Sequence, residues 1–420
     1  MDVKIIDRGC GTGKTSKMLK SLTDEHKYLV VVPLLSEVER VIEDAAVGFY
    51  APSDEKGTKT DSLAELVELG KNVVTTHALY SRLVELQRHG RLDDYHIIID
   101  EVPDVCHESR LRHTGRKDID KVYLPEGLIT IDPLTARIQP TEKWIEIAKE
   151  QNTYEYNFFQ QAMTGCLFYF DSSFFIFAMP KELLLGGKSV TIYTFLAQGS
   201  MLMAYLKKLG VEYMHNVDES SLKKFKREMR DNLTIHTIAG IDNKTQFKYS
   251  YSWQLDPEHK LKRQKVAGAI KRLYQRQIQP AGVDKSDILI TCKKVLWLAS
   301  GEFGEHSAKP GDFARGTGLL HGVNWTPNTT RGTNDYINCS VAIYLYNQYV
   351  NPALIRWLGV EDKGTFEEAY ALTELIQWVY RTRIRRGEHV TLYMPSERMR
   401  DLLLDFMADD DQSFNQNLAA

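Results

Sequence analysis

Long hydrophobic runs are missing from this chain. None reaches the ~18 residues that cross a bilayer, so neither a membrane span nor a membrane partner is expected. Cysteine is sparse. Cys10, Cys106, Cys166, Cys292 and Cys339 are scattered, odd in number and form no C-x-x-C pair. This argues against a structural zinc site and for a reducing compartment. The twelve histidines likewise make no H-x-x-H or H-x-x-x-H pair. Neither sign of charge dominates: 53 Lys and Arg stand against 56 Asp and Glu, a formal net charge of −3. Any nucleic-acid binding must then come from local basic surfaces. The first residues run straight into a strand, so no secretory signal is expected and a cytoplasmic location follows.

What is present is length and alternation. A chain of 420 residues calls for two or three domains. Short apolar segments at Val3–Ile6, Tyr28–Val32, Asn72–Thr75, His96–Ile99 and Val190–Tyr193 alternate with helix-favouring sequence, the pattern of a parallel α/β sheet. Residues 107–180 interrupt this rhythm and read as an insertion. It ends in an aromatic run, Leu167-Phe168-Tyr169-Phe170 and Phe174-Phe175-Ile176-Phe177, around Asp171-Ser172-Ser173, the signature of a hairpin. Such a hairpin is suited to a core, or to stacking on bases. A second α/β region begins near residue 216, with strands at Asp287–Thr291, Asn338–Leu345 and His389–Tyr393. Basic helical stretches lie at Ser220–Arg230 and Glu258–Gln279. The second is suited to a phosphate backbone or to plain solvation. The expected organisation is 1–215, with the insertion at 107–180, then 216–406, then an acidic and polar disordered tail at 407–420.

The first strand leads into Asp7-Arg8-Gly9-Cys10-Gly11-Thr12-Gly13-Lys14-Thr15-Ser16 and then a helix-like run. Strand, Gly-rich loop, Lys-Thr and helix in that order make a phosphate-binding P-loop. Backbone N–H groups of Gly9 to Ser16 close on phosphate oxygens, helped by the helix N-terminus. Lys14 reaches the β/γ-phosphates and the Thr15 hydroxyl ligates Mg2+. Arg8 stands where the pattern has its first glycine, with Gly9 beside it.

A second motif is His96-Ile97-Ile98-Ile99-Asp100-Glu101, an apolar strand ending in two carboxylates. In this Walker B arrangement Asp100 holds Mg2+ and Glu101 orients and deprotonates the attacking water. Taken alone, such a strand also fits a core element with a solvated acidic end.

Together these motifs resemble the superfamily 2 (DExx-box) helicases, over roughly residues 1–399. Tyr28 to Arg40, with Val32-Pro33-Leu34, is similar to the family's motif Ia. Val73-Val74-Thr75-Thr76 resembles its strand-Thr-Thr segment, and Thr191 to Ser200 occupies the place of motif III without its usual S-A-T. Asp287 to Lys294 resembles motif IV. Thr330-Arg331-Gly332-Thr333-Asn334-Asp335 resembles motif V of phage and prophage helicases. Gln377 to Gly387 resembles motif VI, Q-x-x-x-R-x-x-R, with Arg385 one residue later than the pattern.

The resemblance implies two tandem RecA-like P-loop domains with ATP–Mg2+ between them. Lys14, Thr15, Asp100 and Glu101 come from the first domain, and Gln377 with an arginine finger from the second. A helix over Glu374–Arg386 places Gln377, Arg381 and Arg385 on one face, with Arg381 the first choice for the finger and Arg385 the second. It further implies phosphate contacts from Thr75, Thr76, Arg331 and Thr333 to a single strand. The expected activity is that of a viral ATP-dependent DNA helicase or single-strand translocase in the host cytoplasm. Its partners are single-stranded or forked DNA, or RNA, and replication proteins. Too few residues precede the P-loop for the family's adenine-reading Gln segment, so loose nucleotide selection is expected. A DNA-packaging motor, a nucleoprotein remodeller and a small-molecule kinase are the competing readings. The first lacks a convincing carboxylate set in 216–406, and the last does not need the second α/β region.

Overall fold

Strands buried on both faces read as nearly unbroken apolar runs, and Leu29-Val30-Val31-Val32 and Ile97-Ile98-Ile99 are of this kind. They build parallel sheets flanked by helices, an α/β fold. The computed structural model describes residues 3–9, 13–55, 57–109, 111, 115–150, 156–330 and 333–408. The chain divides into two compact units. One takes the strand up to Asp7, then Gly13–Val217 and Val350–Lys363. The other takes Arg8 and Gly9, Asp218–Tyr349 and the chain from Gly364 on.

In the first unit, β1 (Val3–Asp7), β2 (Lys27–Val32), β3 (Val73–Thr76) and β4 (Tyr95–Asp100) precede the insertion. Within it lie β5 (Cys106–Glu108), β6 (Ile129–Ile131), β7 (Ile138–Pro140), β8 (Leu167–Phe170) and β9 (Phe174–Ala178). Then β10 (Ser189–Thr194) and β11 (Tyr213–Val217) return to the main sheet. The main sheet has the order β11-β1-β10-β4-β2-β3, and every pairing is parallel. All six strands therefore end on the same edge, where ligands of such sheets bind. Met18 and Leu19 of the helix after β1 pack with Val30, Val32, Val74 and Ile98.

The aromatic run forms the antiparallel hairpin expected of it, β8 with β9, joined by β5 in a three-stranded sheet. Its rings lie on both faces, with Phe168, Tyr169 and Phe175 buried and Phe170, Phe174 and Phe177 half-buried. Leu167, Tyr169 and Phe175 join Trp144, Phe158 and Ile138 in a core, so burial accounts for these aromatics. The segment Val350–Lys363 also belongs to this unit: Trp357 stacks on Tyr205 and meets Phe168 edge-on, and Arg356 pairs with Asp171 at 2.9 Å. A linear reading at 216–406 assigns that segment to the second region. Long-range aromatic packing places it here instead.

In the second unit, β12 (Leu233–His236), β13 (Ile288–Thr291), β14 (Leu298–Ser300), β15 (Lys309–Pro310), β16 (Asn324–Trp325), β17 (Val341–Tyr344) and β18 (Val390–Tyr393) occur in that order. Five make a parallel sheet, β12-β18-β17-β13-β16, and β14 pairs with β15 as a small antiparallel ribbon. The second basic stretch is helical over Lys260–Leu273 and widens into a π-helical turn at Tyr274–Ile278. Its Arg263 is buried, pairing with Asp312 at 2.8 Å and donating to the Gln254 carbonyl, so this cation serves the fold.

The expected helix over Glu374–Arg386 ends earlier. Helix Lys363–Val379 stops where the Arg381 and Thr382 amides donate to the Trp378 and Val379 carbonyls. The Thr382 hydroxyl donates to Val379 O as well, at 2.7 Å. These i→i+3 bonds close the last turn, and a short 3₁₀ turn follows at Arg383–Arg386. Gln377, Arg381 and Arg385 therefore do not share one helical face. The expected tail at 407–420 lies, from residue 409 on, outside the described residues.

Candidate nucleotide site

Gly13 precedes helix Lys14–Lys20 with φ +67°, the left-handed region, and a Cβ there would meet nothing within 4 Å. The backbone angle, not space, therefore calls for glycine at this turn. Cys10, Gly11 and Thr12 lie outside the described residues. Gly9 groups with the second unit, where its N–H donates to Ser221 Oγ at 3.0 Å. Ser16 sits on the first turn of the helix beside Lys14 and Thr15.

The two motifs meet in the first unit. Thr15 Oγ1 donates to Asp100 Oδ2 at 2.9 Å, across the single strand, β10, that separates β1 from β4. Asp100 is only 6% exposed. Burial pushes its carboxyl up, the Lys14 ammonium opposes that, Glu101 adds to it, and the Thr15 hydroxyl and Arg40 oppose it further. The other oxygen, Asp100 Oδ1, is buried with no hydrogen-bond partner among the described residues. A buried anionic oxygen left this way calls for a cation or a cation-bound water. Among the described residues no cluster of three His, Cys, Asp or Glu could hold a metal by itself. One carboxylate plus a hydroxyl suits Mg2+, which commonly takes one or two carboxylates and completes its shell with water and phosphate oxygens.

Glu101 follows at the strand end with φ +62°, and its N–H donates to Tyr193 O at 2.8 Å. A left-handed backbone at a non-glycine residue costs ~1 kcal/mol or more and is concentrated at functional sites. The turn carries the Glu101 side chain off the line of the strand.

Three further residues shape the site, and sequence reasoning did not single them out. Arg40, on helix Leu35–Asp44, brings Nη2 to 3.8 Å from Asp100 Oδ2 and also pairs with Glu37. His77 Nε2 lies 2.9 Å from the Asp100 carbonyl oxygen. Asp7, the last residue of β1, accepts the Leu196 and Ala197 amides at 2.9 and 2.8 Å, with His215 Nε2 at 3.3 Å. It thereby ties the foot of the phosphate loop to the segment after β10. Arg40 was legible as part of the run that follows β2. His77 and Asp7 had no signal beyond their nearness to a strand end.

The other candidates are placed as follows. Thr75 is 1% exposed, with its hydroxyl enclosed and unpartnered among the described residues, so it is turned inward rather than toward a phosphate. Thr76, at the end of β3, is half-buried. In the second unit, Gln377 lies on the last turns of helix Lys363–Val379, and its Oε1 is buried without a hydrogen-bond partner among the described residues. Arg381 is buried in the turn that follows. Arg385 donates to Asn334 Oδ1. The Thr333 hydroxyl accepts from the Asp335 amide at 3.1 Å. Arg331 lies outside the described residues. Among the described residues no helix is long and apolar enough to cross a membrane.

Residues 227–407 match the family model of the YonV C-terminal Rossmann-like domain. Over 427 residues the chain is 26% identical to the SPbeta prophage-derived uncharacterized protein YonV of Bacillus subtilis (strain 168), spanning 96% of this chain and 98% of that protein. Among solved structures, the chain is similar to Xpd4 of S. tokodaii, with a TM-score of 0.42, 10% identity, and 97% and 94% of the two chains covered. It is also similar to the Hef helicase domain of Pyrococcus furiosus, with a TM-score of 0.35, 12% identity, and coverage of 97% and 95%.

Proposed function

We propose that this protein is an ATP-dependent motor of the superfamily 2 type, with two RecA-like domains, that moves along single-stranded or forked DNA, with RNA the alternative track. The observation that carries the proposal is the Thr15–Asp100 hydrogen bond at 2.9 Å, with Asp100 Oδ1 left for a cation. It joins the residues after the phosphate loop to the acidic strand end, as a nucleoside-triphosphate hydrolase requires.

In this reading Lys14 binds the β/γ-phosphates, and Thr15 and Asp100 hold Mg2+, which when bound neutralises charge on the phosphate oxygens. Glu101 orients and deprotonates water. Gln377 and Arg381 contribute the polar and permanently charged donors that meet the γ-phosphate, with Arg385 in reserve. Thr76, Arg331 and Thr333 are the proposed backbone contacts to nucleic acid, a grip that is sequence-independent and weakened by salt. The setting proposed for this motor is viral DNA replication or recombination in the host cytoplasm, and the prophage origin of the relative fits a viral setting.

ATP hydrolysis measured with and without single-stranded DNA tests this. Stimulation of many-fold is expected, together with strand displacement on a 3′-tailed, 5′-tailed or forked duplex. Hydrolysis indifferent to DNA and RNA defeats the motor reading in favour of a kinase. Stimulation without displacement leaves a translocase that does not unwind.

A further inference from the structure

We infer that the second unit carries a base-stacking surface for single-stranded nucleic acid, built from Phe303, Trp325 and Tyr251 with Lys293 and Lys294 between them. The inference rests on the proposed motor function and adds a base-contacting site to it.

The site grows from the ends of two neighbouring parallel strands. β13 ends at Thr291, so Lys293 and Lys294 emerge just beyond it, and β16 ends at Trp325. Both belong to the carboxyl edge where α/β sheets bind ligands. Phe303 comes from the loop between β14 and β15 and stacks on Trp325, with ring centroids 5.4 Å apart and an interplanar angle of 14°. Despite that contact Phe303 is 40% exposed, and Tyr251 is 42% exposed. The Lys294 ammonium stands 5.7 Å from the Phe303 centroid and the Lys293 ammonium 3.3 Å from that of Tyr251.

The arrangement is held from below. Gln254 is fully buried, and its Oε1 accepts the Lys293 amide at 3.0 Å while its Nε2 donates to the Tyr249 and Leu345 carbonyls. Trp325 Nε1 donates to the Cys292 carbonyl at 3.0 Å, which sets the plane of the indole. The Phe303 loop turns at Gly301, with φ +85°, where a Cβ would lie 3.0 Å from Ala308 Cα. A water-facing aromatic pair costs hydrophobic free energy unless something covers it. Flat rings alternating with cations fit a strand whose bases stack while its phosphates meet ammonium groups. The acidic neighbours are Glu302 and Glu305. The Glu305 carboxylate is turned back onto the Glu302 amide and the Ser307 hydroxyl.

The test uses the full chain and a short labelled deoxythymidine oligomer, alongside the same oligomer with abasic sites. Wild type is expected to bind the base-bearing strand about tenfold more tightly than the abasic one, the size of one stacking contact. Phe303→Ala is expected to abolish that preference while binding the abasic strand as wild type does. Phe303→Tyr keeps a ring and is expected to retain the preference. A Phe303→Ala protein that retains the wild-type preference overturns the inference and leaves the motor reading standing. A wild-type protein that binds neither oligomer overturns both.

Discussion

The Thr15 hydroxyl donates to Asp100 Oδ2 at 2.9 Å, joining two residues 85 positions apart in the chain. Neither has an obvious reason to be polar and buried on its own account. Together they occupy the common edge of β1 and β4 and leave one carboxylate oxygen without a hydrogen-bond partner among the described residues.

Lys14→Ala removes the ammonium beside Asp100. ATP hydrolysis is expected to fall below detection in a phosphate-release assay. Turnover near the wild-type value would defeat the assignment of this loop.

Glu101→Gln keeps the shape and loses the base. Turnover is expected to drop by about 10²–10⁴-fold with ATP binding retained, as nucleotide-analogue fluorescence can show. Glu101→Gly is equally inactive, but it relieves the left-handed backbone and unfolds at a higher temperature.

Asp100→Asn separates activity from stability. Burial raises the Asp100 carboxyl above its ordinary range, so the folded protein holds that proton more tightly than the unfolded chain. This group's contribution to stability is present at acidic pH and lost as pH rises through the folded value. In metal-free buffer at neutral pH the Asn variant is therefore expected to melt higher than wild type. Titrating toward acid, where wild-type Asp100 is neutral as well, should shrink that gain. A variant that melts lower at every pH contradicts the sign.

Arg263→Ala leaves Asp312 without its partner, and chemical denaturation is expected to show a loss of about 3 kcal/mol. Replacing both residues with apolar ones of similar volume should recover much of it, because the desolvation cost of the pair disappears as well. Losses that simply add would show that the pair is not coupled.

Cys106, Cys166, Cys292 and Cys339 are buried. Burial pushes Cys166 up to about 11 and Cys339 up to about 12, and raises Cys106 and Cys292 too. Thiolate is the reactive form, so alkylation of these four at pH 8 should be slow in the native protein and complete in denaturant. Mass spectrometry by peptide distinguishes the sites, and rapid native labelling of Cys292 would contradict its placement.

The alternation of Val- and Ile-rich runs with helix-forming stretches determined the fold class by itself, because strands buried on both faces must be apolar along their length. The Gly-rich loop, Lys14-Thr15 and Asp100-Glu101 were legible for a related reason: chemistry at a phosphate admits few residue types in few orders. The hairpin around Asp171-Ser172-Ser173 was legible from its turn residues. What the sequence could not determine depends on where distant segments pack and where local capping wins. The Gln377–Arg385 stretch looks helical throughout, yet the Thr382 hydroxyl and two backbone amides close the helix at Val379. Thr75 is buried because β3 is covered on both faces, with Val73 and Val74 beside it fully buried as well. Segment Val350–Lys363 joins the first unit because Trp357 finds its aromatic partners there. Arg40 and His77 reach the acidic strand end, and Asp7 takes the Leu196 and Ala197 amides, through contacts between residues far apart in the chain. Only the tertiary structure decided these, since hydrogen bonds and ring contacts between residues far apart in sequence exist only once the sheet has brought the strand ends to one edge.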